Sequence, residues 1–99
     1  MPTDDTEHFE TTVSLSRLRG IHAGPSQQIF AFVRGTGCKV QLVYREQTID
    51  AISVLSLLEL QKVSQGDQIT IIAHGPNAQR VVMALARFLT GMDEEIEAL

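Results

Sequence analysis

Cysteine occurs once in this chain of 99 residues, at Cys38, so no intramolecular disulfide can staple the fold. Tryptophan is absent and tyrosine occurs once. No apolar run approaches the roughly 20 residues that a membrane helix needs. The first ten residues hold four acids and no Lys or Arg, the reverse of the basic start of a signal peptide. These absences predict a cytoplasmic protein without a membrane partner. His8, His22, His74 and Cys38 show no metal-ligand spacing. Gly35-Thr36-Gly37 is a turn and lacks the rest of any phosphate-loop signature, so no metal and no cofactor are expected.

What is present is an ordinary globular balance, 43% hydrophobic and 20% charged. The length supports one small domain with one core. The net charge of -4 is divided unevenly. Asp4, Asp5, Glu7 and Glu10 lie in residues 1–10, and Asp93, Glu94, Glu95 and Glu97 lie in residues 92–99. The stretch 11–91 holds all eight bases against Glu46, Asp50, Glu59 and Asp67, a formal +4. The chain thus reads as an acidic flexible extension (1–10), a domain (11–91) and an acidic tail (92–99). A weakly basic body suits acidic or phosphorylated partners, and its charge is too small to point to nucleic acid.

From Thr11 the pattern has period two, with Val13, Leu15 and Arg17 on one side of a strand. A loop follows from Gly20 to Pro25, and Pro25 suits the first turn of a helix. Ile29, Phe32 and Val33 predict a helix over Ser26–Arg34, stopped by Gly35-Thr36-Gly37. Lys39–Tyr44 alternates, with Val40, Leu42 and Tyr44 on one side and Lys39, Gln41 and Val43 on the other. A turn at Arg45-Glu46-Gln47 leads to a strand over Thr48–Ala51. Ser53–Leu60 reads as a short buried helix, and Gln65-Gly66-Asp67 as a turn. Gln68–Ala73 is a strand carrying Ile69 and Ile71. Asn77 is the expected N-cap of a last helix striped by Ala78, Val81, Val82, Leu85, Phe88 and Leu89 and stopped by Gly91. This order predicts an α+β fold, with the helices on one face of a mainly antiparallel sheet.

The loop Gly20-Ile21-His22-Ala23-Gly24-Pro25-Ser26 carries the candidate chemistry. A histidine sits immediately before a helix start, where free backbone N–H groups and the helix dipole favour an anion. Small neighbours leave the ring uncrowded. A neutral imidazole is nucleophilic near neutral pH, so the site is chemically competent to carry a phosphoryl group. The residues alone equally allow an inert surface or capping histidine. His8 in the acidic start and His74 before Gly75-Pro76 read as ordinary exposed or loop histidines, and Cys38 as a small, partly buried residue. Phe30 and Phe32 belong to the first helix and are not strand-borne stacking aromatics of an RNA-binding domain.

Gly20-Ile21-His22-Ala23 followed at one residue's remove by Pro25, placed between a first strand and a first helix, resembles the active-site loop of the HPr family, the histidine phosphocarriers of the bacterial phosphoenolpyruvate–sugar phosphotransferase system. Two further stretches are similar in the same order: Ile49 to Leu57, with Ser53, and Gln65-Gly66-Asp67-Gln68-Ile69-Thr70-Ile71. The resemblance covers roughly residues 12–91 and implies the family's open-faced β-sandwich. It implies that His22 accepts a phosphoryl group from phospho-enzyme I at Nδ1 and passes it to an enzyme IIA, a stoichiometric carrier and not a turnover enzyme. It implies a monomer, and it places the serine phosphorylated by a dedicated HPr kinase in some bacteria on Ser53. Ala23, Gly24, Ser26 and Arg17 are the expected phosphate-binding residues, and Ile29, Phe30, Leu55 and Leu58 the expected docking surface.

One departure bears on mechanism. The family motif has arginine two residues after the histidine, and this chain has Gly24. Losing a charge-assisted phosphate contact costs about 1.5–3 kcal/mol. Ser56 and Glu59 also stand where many relatives have glycine and a small polar residue. Three readings therefore stay open. The chain is a phosphocarrier, a regulatory module of the same fold switched at Ser53 or His22, or an unrelated α+β binding module.

Overall fold

The computed structural model describes residues 7–16, 23–93 and 95–96. In chain order these form β1 (His8–Ser14), α1 (Ala23–Arg34), β2 (Lys39–Tyr44), β3 (Gln47–Asp50), α2 (Val54–Leu57) continued by a 3-10 segment (Leu58–Lys62), β4 (Gln68–His74) and α3 (Ala78–Leu89). No helix among them is long and apolar enough to cross a membrane.

The strands form one sheet in the order β1-β4-β2-β3, and every pairing is antiparallel. Alternation along each strand sorts the side chains onto two faces. Val40, Leu42, Tyr44, Ile49, Ile69, Ile71 and Ala73 are buried beneath the helices. On β1 the half-buried Phe9, Thr11 and Val13 alternate with exposed His8, Glu10, Thr12 and Ser14. The result is the expected open-faced α+β sandwich.

The helices seal one core. α3 packs on β1 and β4, and α1 packs on α2 and the 3-10 segment. The stripe read from the sequence of α3 is buried throughout, with Phe88 and Leu85 fully enclosed. Ile29 and Val33 of α1 meet the same cluster, with Phe30 and Phe32 half-buried against it. At roughly 1.5–3 kcal/mol for each large apolar side chain removed from water, this burial is the main drive to fold.

Several boundaries differ from the sequence reading. β1 begins at His8, so residues 8–10 belong to the sheet and not to the acidic extension. α1 opens at Ala23, inside the expected loop. The β2–β3 turn is Arg45-Glu46, with Arg45 at φ 58, and Gln47 is already in β3. The second helix is α-helical for only four residues before tightening to 3-10. α1 ends through bonds from the Gly35 and Thr36 N–H groups to the Phe32 and Val33 carbonyls, and it is Gly37 that takes the left-handed conformation. Asn77 does sit at the N-cap of α3, but at φ 60 and without a side-chain cap bond. Its role is to tolerate a left-handed backbone. The tail is not wholly free either. Asp93 receives two bonds from the Arg87 guanidinium, at 2.9 and 3.2 Å.

Below β4 the turn is closed by Asp67. Its carboxylate accepts the Ser64 N–H (2.9 Å) and the Tyr44 hydroxyl (2.8 Å). These bonds, with Arg45 nearby, hold the Asp67 carboxyl below the usual carboxylate range. A carboxylate stabilised in the folded state contributes fully above its unfolded pKa, and that contribution drains as pH falls. Tyr44→Phe is therefore expected to lower the melting temperature at pH 7, with the gap to wild type shrinking between about pH 4 and pH 2 as the carboxylate protonates. A gap constant across that range in thermal melts would show that the hydroxyl does not serve the carboxylate.

Candidate functional site

The loop 17–22, with His22 and Arg17, lies outside the described residues. The structure describes its two ends. On the entry side, the Leu15 N–H donates to the Asp67 carbonyl (2.8 Å), and the Leu15 carbonyl accepts the Gly66 N–H (2.8 Å). The Ser16 N–H donates to the Leu89 carbonyl (3.0 Å). The Leu15 side chain is buried. Strand β1, the turn before β4 and the end of α3 therefore meet where the chain enters the loop.

On the exit side, α1 opens at Ala23, the residue after His22 in sequence. Its first turn offers the backbone N–H groups of Ala23 and Gly24, which lack partners within the helix, while Pro25 has no N–H to leave orphaned. No acidic residue lies in that turn, and Arg34 in the last turn complements the dipole from the other end. The start of α1 is thus electrostatically open to an anion. The Ser26 hydroxyl is not part of it. Ser26 is 0% exposed, and its Oγ donates to the Leu57 carbonyl at 3.4 Å. Its side chain ties α1 to α2, and the expected phosphate contact, which rests on the helix-start amides, is untouched by that bond.

Ser53 is half-buried at the start of α2. Its Oγ accepts the Ser56 N–H (3.2 Å), and its carbonyl accepts the Leu57 N–H (2.9 Å). It is an N-cap by geometry. Around it Ile52 and Leu55 are 54% and 80% exposed, an apolar surface beside the start of α2. Leu58 and Phe30 are half-buried. Ile29 is 0% exposed in the core, which removes it from the expected docking surface.

The structure locates the remaining candidates elsewhere. Burial pushes the Cys38 thiol up, and its Sγ donates to the Pro76 carbonyl (3.0 Å), so it is no ready nucleophile. His8 and His74, read as unrelated exposed residues, face each other across β1 and β4. A signal for the first of these did exist. Phe9, Thr11 and Val13 continue the period-two pattern back to His8. Nothing local could have paired His8 with a residue 66 positions away.

Comparison with known proteins agrees with this architecture. The sequence profile described as "PTS HPr component phosphorylation site" matches residues 9–91. The phosphocarrier protein HPr of Chlamydia muridarum is 37% identical over 94 residues, covering 94% of this chain and 88% of that protein. The phosphocarrier protein NPr of Escherichia coli is 35% identical over 86 residues, covering 85% and 94%. The crystal structure of a Bacillus anthracis HPr superimposes with a TM-score of 0.76 over 83% of this chain and 96% of the other, at 22% identity, a likeness of fold.

The entry junction can be probed at Gly91. It follows α3 at φ 80, with its N–H on the Phe88 carbonyl and the Met92 N–H on the Arg87 carbonyl, a Schellman closure. A Cβ there would stand 2.7 Å from the Ser16 carbonyl oxygen, whereas one at Gly66 (φ 94) would meet nothing within 4 Å. Gly66→Ala is expected to cost about 1–2 kcal/mol of backbone strain, and Gly91→Ala clearly more, in denaturant titrations. Equal losses would show that Ser16 does not press on α3.

Proposed function

The chain belongs to the HPr family, the phosphocarriers of the phosphotransferase system, and from that premise we propose that His22 takes a phosphoryl group from phospho-enzyme I and delivers it to an enzyme IIA. The observation that carries this reading is the opening of α1 at Ala23, directly after His22, with no carboxylate in its first turn. The imidazole nitrogen attacks phosphorus, the bond from phosphorus to the donor breaks, and the P–N bond on His22 forms. Charge on the transferring group spreads over its three equatorial oxygens. The Ala23 and Gly24 N–H groups and the positive end of the helix dipole meet that charge without a side chain having to move. Transfer to the next partner reverses the sequence of bonds, so the protein gains and loses one phosphoryl group per cycle.

Gly24 gives this site a particular character. With no guanidinium at that position, backbone dipoles supply the electrostatics, helped by Arg17. A glycine also lets a partner's own cation approach the phosphoryl oxygens. Ile52, Leu55 and the half-buried Leu58 and Phe30 supply the apolar part of the docking surface. Ser53 is the regulatory position. Phosphorylating its Oγ would place a dianion on the hydroxyl that now caps Ser56 and beside the apolar patch that docks partners. A purely regulatory module is the second reading, favoured by the missing arginine.

Intact mass after incubation with phosphoenolpyruvate and enzyme I separates the two. The carrier reading expects one acid-labile phosphoryl group on the wild type and none on His22→Ala. It expects Gly24→Arg to accelerate labelling by roughly tenfold or more, the rate equivalent of a charge-assisted contact. An unlabelled wild type, in the presence of a cognate and active enzyme I, overturns the carrier reading.

A further inference from the structure

Away from the phosphocarrier site, the open face of the sheet carries a pair of histidines that the fold itself does not require. His8 on β1 and His74 on β4 are directly opposite in register. The Gly75 N–H bonds to the Glu7 carbonyl (2.9 Å) and the Leu15 N–H to the Asp67 carbonyl, so odd-numbered residues of β1 make the hydrogen-bonded pairs. His8 and His74 therefore form a non-hydrogen-bonded pair, the kind in which Cα atoms approach to about 4.5 Å and side chains touch. The same parity brings the Thr12 and Thr70 hydroxyls to 2.7 Å on this face. For the histidines it brings the two Nδ1 atoms to 3.2 Å, with the rings at 72°.

The third group is Glu10. Its Oε1 lies 3.0 Å from His8 Nε2 and accepts that N–H. A neutral His8 so held has its proton on Nε2 and a bare lone pair on Nδ1, pointed at His74. The carboxylate thus does for His8 what an outer-shell carboxylate does for a metal-binding histidine: it fixes tautomer and ring orientation. Two nitrogens bound at 2.0–2.1 Å to a tetrahedral zinc lie about 3.3 Å apart, close to the 3.2 Å found here.

We propose that His8 Nδ1 and His74 Nδ1 chelate a divalent transition-metal ion, zinc in the first instance, with water in the remaining positions and Glu10 as the residue that orients His8. Among the described residues no group of three or more His, Cys, Asp and Glu side chains is placed to ligate one ion, so this is an open two-ligand site. Its affinity is accordingly far below that of a closed four-ligand site. Binding requires the neutral His74 tautomer that carries its proton on Nε2 and its lone pair on Nδ1. The nearest cation by register is Lys39, the partner of His74 on β2. The ion lies on the opposite side of β4, toward β1. Imidazole ligands select zinc, copper and nickel over magnesium and calcium.

The test is a titration of the full chain, without a histidine tag, by Zn²⁺ alone and by Mg²⁺ alone, followed by calorimetry and by the imidazole resonances. One zinc per chain is expected, with the His8 and His74 ring signals shifting together and magnesium inert. His8→Ala and His74→Ala should each weaken binding more than about tenfold, and Glu10→Ala about tenfold. His22→Ala, which removes the remaining histidine, should leave the isotherm unchanged. His8, Glu10 and His74 are exposed, and melting curves of each variant report its folding independently. Zinc binding that survives His8→Ala and His74→Ala, or that disappears with His22→Ala, would overturn the proposal, as would no heat and no shift in the wild type.

Discussion

Everything at the working end of this molecule depends on one junction, where the backbone of Leu15 and Ser16 is bound on two sides at once. Leu15 exchanges bonds with Gly66 and Asp67 before β4, and Ser16 donates to Leu89 at the end of α3. Glycine at position 91 lets the α3 terminus close against the Ser16 carbonyl. Three distant stretches of chain are fixed to one another by main-chain groups, which cannot change rotamer. The last described residues before His22 are therefore held at a rigid point. On the exit side α1 is held by buried Ile29 and Val33 and by the Ser26–Leu57 bond. The carrier role proposed for His22 would draw on this arrangement, because the reacting nitrogen would have to meet two different partners with the same geometry.

In the proposed site the electrostatics rest mainly on the backbone at the start of α1. A guanidinium would add a full charge and several donors, yet it would also hold the phosphoryl group tightly in the ground state. Helix amides are weaker and pre-oriented, and they act equally on the group whether it is arriving or leaving. For a carrier, whose phosphorylated form is an intermediate in transit, uniform binding of that intermediate is of no benefit. In the proposed carrier, Gly24 would shift the burden of charge neutralisation toward the partner and would couple transfer more strongly to docking beside Ile52 and Leu55.

How much of this was legible in the sequence varies with the range of the interaction. β2 and the stripe of α3 emerged from periodicity because each is decided by a single local pattern facing a single core. The His22 loop stood out because Gly, His, small residue and Pro have local meanings. Ile29 illustrates the limit. Helical spacing marks it as apolar, but only the packing of α1 against α2, the 3-10 segment and the core decides that it faces inward while Leu55 of α2 faces out. Ser26 is similar, since no window of sequence pairs its hydroxyl with a carbonyl 31 residues away. The 3-10 tightening after Leu57 and the His8–His74 pairing depend on tertiary contacts that no window of sequence contains.

The reassignment of residues 8–10 also changes the meaning of the acidic ends. Three more residues on β1 lengthen an edge strand, and an edge strand invites pairing with other chains. Here its outward positions are His8 and Glu10, which are polar and already bonded to each other, while Phe9 reaches the core. The charge therefore serves as protection for the edge rather than as a loose solvated lead. At the other end Asp93 is locked to Arg87 across the Schellman turn, and Ile96 packs against the core. Glu10 and Asp93, one from each acidic end, thus belong to the folded body, and much of the formal +4 assigned to residues 11–91 is offset where the chain closes on itself. Two of the four excess positive charges of residues 11–91 are thereby matched by carboxylates from the two ends, which weakens the long-range field of that basic body.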